Sequence, residues 1–346
     1  MPTQKVFRLP QRKSIHDLVV VDEPVPEPSE DQVVVKVRSV ALNFRDVAIA
    51  TGQYQFNVKE NPVPGSDIAG DVVAVGSAVT GFAKGDKVIS TFDPTTIAGP
   101  ILNWNGALGG PVDGGLCQYI ALSWTALIKV PAASTLSYSQ LAALVCTGTT
   151  AWNALYGNKP LLPGQTVVFM GTGGVSVTGL ILAKAAGART IITSSSDKKL
   201  QYVQEQYGAD YIINYKNNPN WGAEVQKLTG GLGADYIFEN GGAGTIKQSM
   251  EAVAYGGIIS AIGFLAKCPQ DQMPDVAALC LSKGALLRGI MVGSKMQLEE
   301  CTRFITVKGL QVPVEKEFGF SRDEVIAALE YMLTGQHIGK VCIKLD

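Results

Sequence analysis

Histidine is almost absent from this chain: its 346 residues include only His16 and His337. That scarcity excludes a three-histidine zinc site and argues against a Ser-His-Asp triad. The six cysteines, at 117, 146, 268, 280, 301 and 342, include no CxxC pair. In a chain this long they do not make a disulfide framework, and most are expected to be buried thiols of a cytoplasmic protein. Charge of one sign is lacking too. The net charge is −1, with no basic tract and no acidic tail, which argues against a nucleic-acid binder that works by neutralising phosphates. No apolar run is long enough to span a membrane without charges or glycines breaking it. The opening MPTQKVFRLPQRKS holds four basic residues but no apolar core of a signal peptide, and is expected to be a first strand.

What is present points to two well-packed domains. Hydrophobic residues make up 46% and charged residues 17%, enough to build large cores. The first part reads as β. QVVVKVRSVAL alternates Val33, Val35 and Val37 with Lys36 and Arg38, and AGDVVAVGSAV, GDKVISTF, GGLCQYIAL and ALIKVP follow as short strands. Their density suggests a small barrel or sandwich, interrupted by one helix near 43–52. Ser137 and Gln140 set a capping box before LAALV. From about residue 165, strands alternate with helices from TVVFM to GGIISAIGF, and ALLRGIMVG looks like a sixth strand. That order predicts a parallel sheet covered by helices. A second capping box at Ser321 and Glu324, a helix through VIAALEYML and a closing strand KVCIKL return to the first domain. The expected architecture is a Rossmann-type domain inserted into a β-rich one.

Within the alternating region, VVFMGTGGVSVTG breaks from an apolar run into Gly171-Thr172-Gly173-Gly174 and then a helical pattern. A GxGxxG-like string alone is weak, but a strand before it and a helix after it fit a pyrophosphate turn. Gly171 allows the sharp turn. Gly173 and Gly174 let backbone N–H groups approach a pyrophosphate, which the helix N-terminus favours. Ser176 replaces the third glycine and is small enough for close helix–strand packing. The next strand ends in Ser194-Ser195-Ser196-Asp197-Lys198-Lys199. Ser195 falls where NAD binders carry an acid for the ribose. A serine there accepts a 2′-phosphate that Lys199 can neutralise, so NADP(H) is predicted over NAD(H). The competing readings are that the lysines are a solvated helix start and that Asp197 binds the ribose.

Taken together, NFRDVAIATGQY, PVPGSDIAGDVVAVG, GFAKGDKV, DGGLCQYI, CTGTTAWNAL, GTGGVSVTGLILAKAAGA and YGADYIINY resemble the medium-chain dehydrogenase/reductase superfamily over essentially the whole length. The resemblance implies a GroES-like β-barrel catalytic domain at 1–146 and 293–346 and a Rossmann NADP(H)-binding domain at 147–292, with the active site between them. It also implies a homodimer acting on a small-molecule substrate. The catalytic-zinc positions of the family correspond to Asn43, Ser66 and Cys146. One thiolate with an amide and a hydroxyl is a poor zinc site, even with Asp67 beside it, and residues 90–116 lack the four cysteines of the structural zinc lobe. No metal is therefore assigned, and the chain resembles zinc-free members of the family, similar to quinone and enoyl reductases and most of all to a subgroup labelled alcohol dehydrogenase that lacks the ligands. The implied catalytic pair is Asn43 and Tyr54. The implied cofactor set is Thr150, Gly171, Thr172, Gly173, Gly174, Val175, Ser194, Ser195, Lys199, Tyr215, Asn240, Gly263, Phe264, Ile290 and Val292.

Other readings of these residues stand beside the functional ones. Asn43 could cap the helix that starts there, Tyr54 could be a packed side chain, and Trp104 could cover the substrate. Losing the metal favours reduction of an α,β-unsaturated carbonyl or quinone, which needs hydride and a mild proton source. An alcohol dehydrogenase or carbonyl reductase of the same superfamily is the alternative, and a non-catalytic NADPH-binding protein is the alternative from a different class.

Overall fold

The computed structural model describes residues 2–345. In chain order the elements are β1 (Thr3–Arg8), β2 (Val19–Pro24), β3 (Gln32–Ala41), α1 (Phe44–Ala50), β4 (Asp67–Val75), β5 (Lys87–Ser90), β6 (Tyr119–Ser123), β7 (Leu127–Lys129) and α2 (Tyr138–Tyr156). The middle contains β8 (Thr166–Met170), α3 (Gly174–Ala185), β9 (Arg189–Ser194), α4 (Asp197–Tyr207), β10 (Tyr211–Asn214), α5 (Trp221–Leu228), β11 (Ala234–Glu239), α6 (Ile246–Ala252), β12 (Val253–Ala261), α7 (Val276–Lys283) and β13 (Leu286–Gly289). The chain ends with α8 (Lys295–Lys308), β14 (Val314–Phe318), α9 (Arg322–Leu333) and β15 (Lys340–Lys344). Two compact units result. One comprises the chain up to Thr149 together with the chain from Val292 onward; the other is Thr150–Met291.

The first unit is built on a seven-stranded sheet, β14-β15-β3-β4-β5-β7 with β6 on the other flank of β3, beside the antiparallel hairpin β1–β2. Strand β3 carries the alternation seen in the sequence. Val33, Val35 and Val37 are buried while Lys36 and Arg38 reach the half-exposed face. Those valines pack with Phe7, Ile49, Ile68, Leu116 and Leu329 in one core. Each fully buried aliphatic side chain there contributes about 1.5–3 kcal/mol. The return of β15 to β3, with Cys342 opposite Ala41, gives the chain's two ends one shared sheet.

The second unit is a six-stranded sheet in the order β10-β9-β8-β11-β12-β13, parallel throughout. Its central strand β8 is buried along its whole length, as a parallel strand covered on both faces must be. Counting from β8, the order is 3-2-1-4-5-6, the doubly wound arrangement whose strand order reverses between β8 and β11. The fold is therefore α/β, a Rossmann-type sheet with a GroES-like β-rich partner.

Local signals translate directly into structure. Ser137 and Gln140 cap each other's backbone N–H, at 3.2 and 3.1 Å. The second box is half of what the spacing implies. Ser321 Oγ accepts from Glu324 N, but the Glu324 carboxylate takes the N–H of Gly319 instead of the cap. Helices α7 and α8 lie in stretches where the sequence reading placed none. The six cysteines are free thiols, but only three, Cys117, Cys301 and Cys342, are buried. Burial pushes the thiols of Cys117 and Cys342 up to about 12. Cys146, Cys268 and Cys280 are half-buried, contrary to the expectation that most would be inside. No helix among the described residues is long and apolar enough to cross a membrane.

Candidate active site

In the second unit, the carboxyl ends of β8, β9 and β11 converge on one cavity of about 400 Å³. Its lining includes Met170, Gly171, Thr193, Tyr215, Asn240 and Gly241, with Trp221 and Leu265 as apolar walls. This is the position at which open α/β sheets bind ligands. Gly171 follows β8 with φ +76°, a conformation that only glycine adopts readily, and its N–H donates to Thr193 O at 2.9 Å. Gly173 is the N-cap of α3 and offers no side-chain cap. The space beside Gly171 and Gly173 is open, since an added Cβ at either would meet nothing within 4 Å. Helix α3 thus begins with backbone donors beside open space, as anion binding requires. Thr172 is buried in the turn, and Val175 is half-buried in the first turn of α3.

Ser176 does more than fit. Its hydroxyl donates to Met170 O at 2.7 Å and accepts from Asn240 Nδ2 at 2.9 Å. Asn240 also donates to Met170 O at 2.8 Å. The three groups tie the helix start to the ends of β8 and β11. Close helix–strand approach is supplied one turn later by Gly179, where a Cβ would lie 2.8 Å from both Phe169 and Phe238. The role sought at the third glycine has moved along the helix.

Ser194 is buried at the end of β9, and Ser195 and Lys199 are half-buried just beyond it. Ser196 caps α4 by accepting from Lys199 N. Asp197 is engaged by the side-chain amides of Asn214 and Asn217, at 2.7 and 3.4 Å. Tyr215 is exposed after β10, and its N–H donates to Ser194 O. Gly263 and Phe264 follow β12; Gly263 packs so tightly on Asn240 O that a Cβ would sit 2.5 Å from it. Ile290 is buried and donates its N–H to Ala261 O. Thr150 is buried on α2. Val292 has φ +49°, an outlier for a β-branched residue. Glu239, fully buried behind the cavity, was not singled out by sequence. Its carboxylate accepts from the N–H groups of Gly241 and Gly242 and from the hydroxyls of Thr245 and Ser249, which shapes the turn at Asn240.

In the first unit, Asn43, Ser66, Asp67 and Cys146 do come together. Asn43 Nδ2 donates to Ser66 Oγ at 3.3 Å, Ser66 Oγ donates to Asp67 Oδ1 at 2.7 Å, and Cys146 N donates to Asp67 Oδ2 at 3.3 Å. A residue the sequence reading passed over completes the group. Lys340, 4% exposed, donates to Asn43 Oδ1 at 2.7 Å and to Leu42 O at 2.6 Å, and lies 3.5 Å from Asp67 Oδ2. The signal available was a lysine opening the strand KVCIK, directly before the apolar run VCI. The Asn43 side chain is turned to this group. The carboxylate accepting from Asn43 N, at 2.7 Å, is that of Asp46, whose pKa burial raises.

As a zinc site this set does not fit. The oxygens of Asn43 and Asp67 already face an ammonium, and a divalent ion beside it would be repelled. Among the described residues no three His, Cys, Asp or Glu side chains are grouped to hold a metal. Tyr54 lies on the loop after α1, where its phenolic oxygen accepts from Arg45 Nε at 3.1 Å. Its ring packs edge-on to Phe56, which with Phe92 flanks Trp104, at centroid distances of 5.4, 5.3 and 5.7 Å.

A doubly wound sheet with a glycine turn at its switch point, joined to a β-rich unit with a buried polar cluster, defines a nicotinamide-dependent oxidoreductase. Two family models match, the alcohol dehydrogenase GroES-like domain over residues 29–132 and the zinc-binding dehydrogenase over 174–306. A zinc-type alcohol dehydrogenase-like protein of Schizosaccharomyces pombe is 39% identical, with 91% of each chain covered. A quinone oxidoreductase-like protein 2 homolog of Nematostella vectensis is 32% identical over 90% of this chain and 81% of the relative. A solved structure from Sinorhizobium meliloti 1021, described as an alcohol dehydrogenase, superposes with a TM-score of 0.91 at 35% identity over 99% of both chains. The chain belongs to the medium-chain dehydrogenase/reductase superfamily, whose members bind NAD(P)(H).

Proposed function

We propose that this protein is an NADPH-dependent, zinc-independent reductase that passes hydride to an α,β-unsaturated carbonyl or a quinone. The observation that carries the reading is the state of the three zinc positions. Asn43 and Ser66 are bonded to each other, and the acid beside Cys146 is paired with Lys340. Oxidising an alcohol needs a Lewis acid or a base for the hydroxyl proton, whereas a conjugated acceptor needs only hydride and a weak acid. Bound NADPH supplies the hydride.

The chain's own residues have these roles in the proposal. Gly171, Thr172, Gly173, Gly174 and Val175 hold the pyrophosphate at the start of α3, and the cavity beside Asn240 and Tyr215 takes the adenosine. Ser194, Ser195 and Lys199 receive the 2′-phosphate. That choice is supported by Asp197, whose carboxylate is occupied by Asn214 and Asn217. Thr150, Gly263, Phe264, Ile290 and Val292 hold the nicotinamide, Asn43 and Tyr54 meet the acceptor, and Trp104 covers it. Alcohol or carbonyl chemistry is the second reading, favoured by the name of the Schizosaccharomyces relative.

The test is oxidation of NADPH and NADH against quinones, enones, aldehydes and ketones, with metal content measured in parallel. Turnover of enones or quinones by metal-free protein supports the reading; stoichiometric zinc with chelator-sensitive aldehyde reduction overturns it. We further propose a cytoplasmic homodimer joined along β13. Leu286 and Leu287 lie exposed on this terminal strand of the sheet, and light scattering would reveal a monomer if the proposal is wrong.

A further inference from the structure

Lys340 closes a directional ring of hydrogen bonds. It donates to Asn43 Oδ1, Asn43 donates to Ser66, Ser66 donates to Asp67, and Asp67 returns to Lys340 as an ion pair. An ammonium has donors only. The end of the Asn43 amide that faces it at 2.7 Å must therefore be the oxygen. Turned over, the amide would set N–H against one N–H of the buried Lys340 ammonium, so that this contact would repel and neither donor would be satisfied by it. The Nδ2 end is thus fixed on the opposite side. It carries two N–H groups, and Ser66 takes one of them at 3.3 Å. The other has no partner among the described residues, and Asn43 is half-exposed. Lys340 also neutralises Asp67, which is completely buried and would be costly as a lone carboxylate.

We propose that Lys340 is a positioning residue. It is a tethered cation that locks the Asn43 amide so that its remaining N–H is presented to the carbonyl oxygen of the acceptor. Withdrawal of electron density from that oxygen, assigned to a metal in zinc-dependent relatives, falls here to an oriented amide. Such a donor acts on an oxygen that gains charge as hydride arrives, as the carbonyl oxygen of a conjugated acceptor does. The inference rests on the reductase reading for its consequence, but the locking of Asn43 stands or falls separately.

The experiment uses the full chain and the double variant Lys340→Met/Asp67→Asn, which removes one positive and one negative charge together and leaves no unpaired buried ion. Lys340→Met alone is expected to fold poorly for that reason, so the double variant carries the test. Asparagine-selective ¹⁵N labelling, with the Asn43 side-chain signals assigned by their loss in Asn43→Ala, reads the amide directly. The expected result is a pair of Asn43 amide protons shifted away from those of a solvated asparagine in the parent protein, and a move of both signals toward the solvated positions in the double variant. Unchanged Asn43 signals overturn the positioning role whether or not any acceptor is turned over. In steady state, on whichever acceptor the parent reduces, kcat should fall on the order of 10²-fold while KM for NADPH stays within about twofold. Adding Asn43→Ala should cost nothing more, because both changes remove the same interaction. A kcat within about twofold of the parent, or losses that multiply, would overturn the catalytic consequence. Absence of turnover across the whole panel in the parent removes the reductase reading and leaves the labelling result to decide on Lys340.

Discussion

Arg45 gives its Nε–H to the phenolic oxygen of Tyr54 over 3.1 Å, so the hydroxyl proton of Tyr54 is not spent on that contact. The guanidinium is held by Leu108 O at 2.6 Å and lies 4.9 Å from the centre of the Phe92 ring. The cation fixes the phenolic oxygen as an acceptor and leaves its proton for another partner. Under the reductase reading Tyr54 is the proton source. Tyr54→Phe should then lower kcat about 10²-fold with an enone. Arg45→Met should give a smaller fall in kcat, with KM for NADPH unchanged in both. Stopped-flow and steady-state rates check this; an unaltered kcat in Tyr54→Phe would make the tyrosine a packed side chain.

Cofactor preference gives a second prediction. Ser195→Asp places a carboxylate where the 2′-phosphate is proposed to lie and should turn the kcat/KM ratio toward NADH. Lys199→Ala should weaken NADPH binding about tenfold, roughly 1.4 kcal/mol, and leave NADH nearly unaffected. Titrating cofactor fluorescence in each variant decides it. A parent protein that prefers NADH would sink the assignment before any mutation is made.

How far the molecule could be read in advance depended on the range of each interaction. The glycine turn, the alternating strand β3 and the capping box at Ser137 are local, and each has one conformation that suits its residues. The strand–helix alternation of residues 165–262 carried the parallel sheet for the same reason. Lys340 was invisible because its partners, Asn43 and Asp67, lie 297 and 273 positions away along the chain. Nothing in KVCIKL announces an ion pair; only the sheet that returns β15 to β3 makes one. Ser176 was read as a tolerated small residue because its hydrogen bond to Asn240 spans 64 positions. Asn43 was left between cap and site; it stands at the N-cap of α1, where Asp46 accepts from its N–H, and its amide also contacts Ser66 and Lys340.

Acid sensitivity follows from Asp210. Burial alone would raise its pKa, but hydrogen bonds from Lys184 and from the N–H and hydroxyl of Thr190 outweigh it and hold the carboxyl below its usual range. A depressed folded value means that the stabilisation is complete above the unfolded pKa of about 3.9 and is lost as pH falls through the folded value. Asp210→Asn should cost on the order of 1 kcal/mol at neutral pH. The gap between parent and variant should close as the pH is taken below 4. Urea midpoints measured across that range test it, and a gap that widens with acid would contradict the assignment.

The last prediction concerns two neighbouring turns of α3. Gly179→Ala adds a methyl group 2.8 Å from the rings of Phe169 and Phe238, both fully buried and in contact with each other. Neither ring can move without disturbing β8 or β11, so the change should destabilise by about 1–3 kcal/mol. Ser176→Gly restores the fingerprint glycine, yet it should also destabilise, by about 1–2 kcal/mol. The variant loses the hydroxyl that bridges Met170 O and Asn240, and it adds a glycine to a helix. Freed from Ser176, the Asn240 side-chain amide keeps its bond to Met170 O at 2.8 Å alone, so the cavity wall should loosen and NADPH binding weaken as well. Denaturant midpoints and cofactor titration on both variants check the pair. A Ser176→Gly protein as stable as the parent would show that the serine is there for its size alone.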